Sequence, residues 1–249
     1  MGVKADIRKV VCYMTQNKEL ADLLFSDIEK TPEYYELLYP KRQLTGGAKV
    51  TRFAPSPTGY VHMGSLYASL VSERLAHQSN GVFFLRVEDT DKKREVEGGV
   101  SNIIRALSRF GINFDEGVTD IDDEKGGYGP YKQSERMEIY KTFAKRLVEK
   151  GFAYPCFCSE EDLDSIRAKQ EENKETPGYY GEYAVHRSFT LEQVREELSK
   201  GKSFVLRLKA PCNPDNRFIF KDLIKGEVEM PENFQDIVLL KSDGLPTYH

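Results

Sequence analysis

TRFAPSPTGYVHMGSLYASLVSERLAHQSNGVFFLRVEDTD, residues 51–91, is the stretch whose reading decides the fold. A short apolar strand ends near Phe53 and Ala54. A loop built from Pro55, Pro57 and Gly59 follows, then helical spacing over residues 63–77, a stop at Asn80-Gly81, and the β-rich run Val82-Phe83-Phe84-Leu85. That succession predicts a strand–loop–helix–strand unit of the kind that builds parallel sheets. Polar residues collect where the two strands end: Arg52 and Ser56 after the first, Arg86, Glu88, Asp89 and Asp91 after the second. In open α/β sheets ligands bind at those carboxyl ends.

The residue types in that place have chemical reasons. Pro55 and Pro57 fix the backbone of a loop that must hold its shape beside a ligand. Gly59 and Gly64 let backbone turn sharply or approach a bound group closely. Thr58 and His62 sit at the loop-to-helix junction, where free N–H groups and the helix dipole favour phosphate. Arg52 offers a fork for a carboxylate, and Glu88 an acceptor pair for an ammonium. One fixed cation and one fixed anion suit an amino-acid zwitterion.

Three blocks in order, Arg52-Phe53-Ala54-Pro55-Ser56-Pro57-Thr58-Gly59, His62-Met63-Gly64-Ser65 and Arg86-Val87-Glu88-Asp89-Thr90-Asp91, resemble the catalytic domain of the class I aminoacyl-tRNA synthetases, of the bacterial glutamyl type. The second block is similar to the first class I signature, usually His-Ile-Gly-His. Its last position departs from that consensus, where glutamyl enzymes commonly have a small residue. The resemblance continues through residues 128–136, YGPYKQSER, and ends in residues 239–249, LLKSDGLPTYH, so it covers about four-fifths of the chain.

Composition bounds the rest. The 249 residues suffice for one large domain or two small ones. Hydrophobic content of 39% and charged content of 31% describe a globular protein. A net charge of −4 argues against a generally basic nucleic-acid binder and leaves room for a local basic patch. No apolar run approaches the ~20 residues of a membrane span, and no secretory signal is evident. Four cysteines, with only Cys156 and Cys158 close together, do not form a disulfide framework. The cytoplasm is the expected compartment.

Outward from the central stretch, helical spacing at Ile7, Val10, Val11, Met14, Leu20, Leu23, Leu24 and Ile28, with Thr31-Pro32-Glu33 as a cap, predicts a helical N-terminal extension over 1–48. No chemistry is assigned to it. Lys92-Lys93-Arg94, then Val100, Ile103, Ile104 and Leu107, suggest a helix with a basic entrance, closed by Gly111, with residues 112–114 returning toward the sheet. The acidic, Gly-rich residues 119–130 read as a surface loop. Ser134 reads as the N-cap of a helix through Leu147 and Val148. Residues 152–157 read as a strand, and Ser159 starts a polar helix. A short helix follows over 191–200, then a strand over 204–208, a hairpin around Lys225-Gly226, and a strand over 237–240. Leu198-Ser199-Lys200-Gly201-Lys202 superficially resembles a K-M-S-K-like loop, but it sits at an ordinary helix C-terminus, where lysine suits the dipole.

The resemblance implies an α/β fold: the first half of a Rossmann-like nucleotide-binding domain over 49–150, an inserted α+β acceptor-stem-binding domain over 151–235, and the start of the second half over 236–249. It implies ATP-dependent attachment of glutamate to tRNA(Glu) through glutamyl-adenylate, with Mg²⁺ arriving with the ATP, in a monomer. On the matching positions, Arg52, Ala54, Ser56, Glu88 and Tyr248 would bind glutamate, and Thr58, His62 and Gly64 would contact ATP and serve catalysis. The K-M-S-K-like loop and the anticodon-binding domains of the family have no counterpart in these residues, so the chain reads as the front part of a longer enzyme, inactive alone. Two rivals stand beside this reading: a glutamyl-queuosine tRNA(Asp) synthetase and a catalytically inactive tRNA- or protein-binding module. Some relatives hold zinc near Cys156-x-Cys158 with two later ligands around a Tyr-x-Gly segment. Here that set would be Cys156, Cys158, Tyr179 and His186, chemically mixed for a structural zinc site. Two reduced thiols on a strand is the preferred reading, and zinc the alternative.

Overall fold

The computed structural model describes residues 7–120, 122–211, 213 and 215–248, with backbone alone for residues 7–14. His249, the last residue of the family match, lies outside them. The elements run α1 (Ile7–Leu24), α2 (Pro32–Leu38), β1 (Val50–Phe53), α3 (Met63–Gln78), β2 (Val82–Leu85), α4 (Gly99–Arg109), β3 (Glu116–Asp120), β4 (Asp123–Lys125), α5 (Met137–Glu149), β5 (Ala153–Cys156), α6 (Glu160–Glu172), α7 (Leu191–Ser199), β6 (Val205–Leu208), β7 (Arg217–Asp222), β8 (Gly226–Pro231) and β9 (Val238–Leu240). They divide into two compact units, Lys30–Tyr140 and the remainder.

In the Lys30–Tyr140 unit, β1, β2 and β3 are parallel neighbours and β4 turns back antiparallel on β3. Val50 to Phe53 lie opposite Val82 to Leu85 in register. The alternation of β2 buries Phe83 and Leu85 completely, against Leu66 and Ala76 of α3, Ile103 and Leu107 of α4, and Ile112. Each of these large side chains contributes about 1.5–3 kcal/mol on leaving water. The α3 helix stops where expected: the Ser79 hydroxyl donates to the Leu75 and Ala76 carbonyls, Asn80 turns left-handed at φ 56°, and Gly81 N donates to Ala76. The outer face of α3 carries Met63, Tyr67, Val71 and Leu75, four residues apart and exposed, and β1 is an edge of the described sheet.

Three expectations change here. The basic triplet Lys92-Lys93-Arg94 precedes α4 in turns, because the helix starts only after Gly98, whose φ of 69° sets its N-cap. Residues 119–130 are not all loop, since the β3–β4 hairpin occupies 116–125. The α5 helix is preceded by a 3₁₀ turn over Ser134–Arg136, and Ser134 does not cap it.

In the other unit, β5, β6 and β9 form an antiparallel sheet in that order, and β7–β8 form a separate hairpin. Both α6 and α7 open on capping boxes, Ser159 with Asp162 and Thr190 with Gln193. The N-terminal segment is fixed by α5: Lys145 pairs with Asp22 and donates to the Phe25 and Ile28 carbonyls, while Lys141 pairs with Asp27. Buried Asp236 accepts from the Tyr154 hydroxyl, an Arg187 guanidinium nitrogen and Ala210 N, and its own carbonyl accepts from Arg207. Lys200 pairs with Glu196 and Glu197 at the end of α7, an ordinary helix terminus as expected. No described helix is long and apolar enough to cross a membrane.

Candidate functional site

The carboxyl ends of β1 and β2 build a charged site. Parallel pairing carries on beyond the strands, with Arg86 N donating to Phe53 O and Glu88 N to Pro55 O. The proline loop is held from its other side, where Val96 N donates to Pro57 O and Gly99 packs so closely that a Cβ there would lie 2.8 Å from that carbonyl. Arg52 Nη1 and Glu88 Oε1 stand 3.8 Å apart, and Arg86 Nη2 is 3.5 Å from the same oxygen. Both separations exceed hydrogen-bond range. The half-buried Glu88 carboxylate is therefore flanked by two guanidiniums while keeping capacity to accept. Arg86 Nε is buried and makes no hydrogen bond within the described residues. Arg86 stood in the charged cluster expected at the strand ends but was given no role there. The signal was present: residues i and i+2 of an extended strand point to one face, which puts Arg86 beside Glu88.

Asp89, next along, is buried. Burial pulls its carboxyl upward, but the Ser134 hydroxyl at 2.5 Å, Ser134 N at 2.8 Å and Lys92 outweigh it and hold the pKa below the usual range. This is why Ser134 does not cap α5.

His62 is the N-cap residue of α3 and makes no side-chain cap. Its Nε2 lies 3.1 Å from Ser65 Oγ, which gives the departure from the His-Ile-Gly-His consensus a local partner. At Gly64 a Cβ would come within 3.0 Å of the His62 ring. Ser56 and His62 are exposed, Ala54 and Thr58 half-buried. Arg52, Ala54, Ser56, Thr58, His62, Gly64 and Glu88 thus share the Lys30–Tyr140 unit. Tyr248 belongs to the other unit, where it is 94% exposed.

The second unit holds a different constellation. Cys156 ends β5 and Cys158 follows it, and both thiols meet the Tyr179 hydroxyl (3.3 and 3.5 Å) and His186 Nδ1 (3.7 and 3.4 Å). That hydroxyl and Nδ1 are themselves 3.3 Å apart. The Cys158 thiol, His186 and Tyr179 hold the Cys156 thiol well below the ordinary range against the cost of burial, while Cys156 and burial push Cys158 up. Four donors around a tetrahedral zinc, with Zn–S about 2.3 Å and Zn–N or Zn–O about 2.0 Å, stand about 3.3–3.8 Å from one another. The observed separations fit. The phenol ring of Tyr179 lies 4.0 Å below the Arg207 guanidinium, and the His186 ring is packed edge-on between Phe157 and Phe189. Two thiols on a strand describes only half of this arrangement.

Comparison with known proteins places the chain. The family of class I tRNA synthetases (E and Q), catalytic domain, matches residues 49–249. The glutamate–tRNA ligase of Clostridium perfringens strain 13 is 55% identical over 232 residues, covering 93% of this chain and 42% of that protein. The glutamate–tRNA ligase of Acetivibrio thermocellus is 58% identical over 233 residues, with the same coverage. The crystal structure of a glutamate tRNA ligase from Elizabethkingia meningosepticum, in complex with its amino acid, aligns at a TM-score of 0.72 and 36% identity, covering 81% of this chain and 40% of that one. The chain thus spans about two-fifths of the length of the curated relatives it matches.

Proposed function

Because the chain belongs to the family of class I tRNA synthetases (E and Q), catalytic domain, we propose that the full-length protein joins glutamate to tRNA(Glu). A glutamate carboxylate oxygen attacks the α-phosphorus of ATP, forming a P–O bond and expelling pyrophosphate. A hydroxyl of the 3′-terminal adenosine then attacks the activated carbonyl, and AMP leaves. Mg²⁺ comes with the ATP. The observation that carries this reading is the Arg52–Glu88 pair, 3.8 Å apart at the carboxyl ends of adjacent parallel strands, in one unit with the N-terminus of α3.

Catalysis of this sort is positioning plus electrostatics. Arg52 pairs with a substrate carboxylate, Ala54 and Ser56 line the glutamate pocket, and Glu88 accepts from the α-ammonium. Thr58 and the amides at the head of α3 face phosphate, Gly64 lets the backbone come close, and His62 donates to phosphate oxygens as negative charge develops. The family resemblance assigns Tyr248 to glutamate binding as well. Residues 49–150 and 236–249 belong to the nucleotide-binding fold and residues 151–235 to an acceptor-stem domain, in a cytoplasmic monomer.

Charging purified native tRNA(Glu) and tRNA(Asp) in parallel with labelled glutamate tests the proposal. Label on tRNA(Glu) is expected. Label on tRNA(Asp) alone makes it the queuosine-directed enzyme, and label on neither restores the inactive binding module.

A second reading rests on the converging donors. We propose that Cys156, Cys158, Tyr179 and His186 hold a zinc ion, which supplies a crosslink between the end of β5 and residues 179–186 and no chemistry on substrate.

A further inference from the structure

Glu88 makes no short bond to either flanking guanidinium, so the backbone on each side of it must set its direction. Both neighbours are clamped by one segment. Val87 N donates to Tyr131 O and Gln133 N donates back to Val87 O, each at 2.9 Å. Asp89 takes the amide and hydroxyl of Ser134. Residues 131–134 therefore grip the chain immediately before and after Glu88.

That segment is anchored in turn by the N-terminal extension. Arg42 forms a bidentate pair with Glu116 of β3, both bonds 2.5 Å, with the two side chains only 17% and 14% exposed. The same guanidinium stacks 3.7 Å above the Tyr128 ring. The Tyr131 hydroxyl donates to Glu116 at 2.7 Å. Burial, and then Glu116, push its pKa up to about 12, so it remains a donor throughout the working range. Two further bonds cross between extension and loop: Tyr39 hydroxyl to Gly129 O at 2.5 Å, and Tyr128 hydroxyl to Pro40 O at 2.7 Å. A bidentate guanidinium–carboxylate pair fixes angle as well as distance.

We propose that residues 39–42 are a brace for the amino-acid site, with Arg42 a positioning residue that sets Glu88 through Glu116 and Tyr131. The inference rests on the reading of Arg52 and Glu88 as the glutamate pocket, and it gives the extension a task in substrate binding. A shift of Glu88 by a fraction of an ångström weakens recognition of the ammonium and leaves the phosphate end of the site untouched.

The test is glutamate-dependent ATP–pyrophosphate exchange by the full-length enzyme and its Arg42→Gln, Arg42→Lys, Tyr131→Phe and Arg42→Gln/Tyr131→Phe forms, with thermal midpoints measured alongside. Arg42→Gln raises the KM for glutamate about 10-fold and the KM for ATP less than about twofold. Arg42→Lys recovers part of the loss. Tyr131→Phe, which removes one oxygen only, gives a smaller rise, and the double variant falls short of the product of the two because they share Glu116. A lower thermal midpoint with unchanged glutamate KM in Arg42→Gln and Tyr131→Phe, or equal rises in both KM values, overturns the brace and leaves the pocket standing. Absence of glutamate-dependent exchange in the unaltered enzyme, or an Arg52→Ala form with normal glutamate KM, removes the pocket and the brace together.

Discussion

The strand-end site of one unit and the cysteine–tyrosine–histidine cluster of the other are both small collections of polar groups, yet they are built on opposite terms. Arg52 is 43% exposed on its side chain, and its pairing with Glu88 is loose. Cys156 and Tyr179 are almost wholly buried, and every donor in the cluster lies within contact of the next. Loose, partly wet charges exchange one partner for another at little cost. Buried donors at contact distance do not, because an unsatisfied group in the interior costs the full desolvation penalty. The first arrangement suits a substrate that comes and goes, and the second a permanent occupant.

The comparison breaks most visibly at Arg52. Arg52→Ala should abolish glutamate activation in the full-length enzyme, and Glu88→Gln should raise the glutamate KM by an amount worth about 2–3 kcal/mol, the value of a charged hydrogen bond. Pyrophosphate exchange reads both, and unaltered kinetics in either would show the pocket to be elsewhere. Cys156→Ser should take bound zinc, counted by elemental analysis, from about one per chain to near none, and lower the thermal midpoint by several degrees. A metal-free unaltered protein would return the cluster to two thiols and their neighbours.

Two smaller effects sharpen the contrast. Arg42, through both its hydrogen bonds, holds the Glu116 carboxyl below its ordinary range. A depressed carboxylate contributes stability that is whole above the unfolded pKa of about 4.3 and is lost as pH falls through the folded value. Acid titration of stability should therefore be flatter below about pH 4 in Arg42→Gln than in the unaltered protein. Parallel curves would mean the pair is energetically silent. Smallest of all, Lys200→Ala should leave exchange kinetics within error. A large loss there would revive the discarded signature at the end of α7.

What was legible in the sequence was local. The end of α3 and the start of β2 follow from Asn80-Gly81 between them, and Ser159 marks the start of α6. The β3–β4 hairpin was hidden because its strands are acidic and short, with β4 wholly exposed, so no apolar alternation marks them. The start of α4 was misread because a left-handed glycine, and not a polar cap, opens it. The Ser134 hydroxyl looked like a cap for the helix ahead, when its partner was Asp89, 45 residues back. Arg42 and Glu116 are 74 residues apart, and no period or spacing reports such a pairing, whereas Cys156 and His186, 30 apart, were brought together by the family resemblance alone.

The stripe of Met63, Tyr67, Val71 and Leu75 along α3, together with the open edge of β1, has a practical side. Among the described residues, this face presents a greasy ridge and a strand edge with no partner to every neighbouring molecule in the tube. A net charge of −4 is a weak repellent against such a surface. The behaviour of the purified chain at high concentration will be governed by that ridge, and a single lysine placed at Val71 is the economical way to keep it in solution.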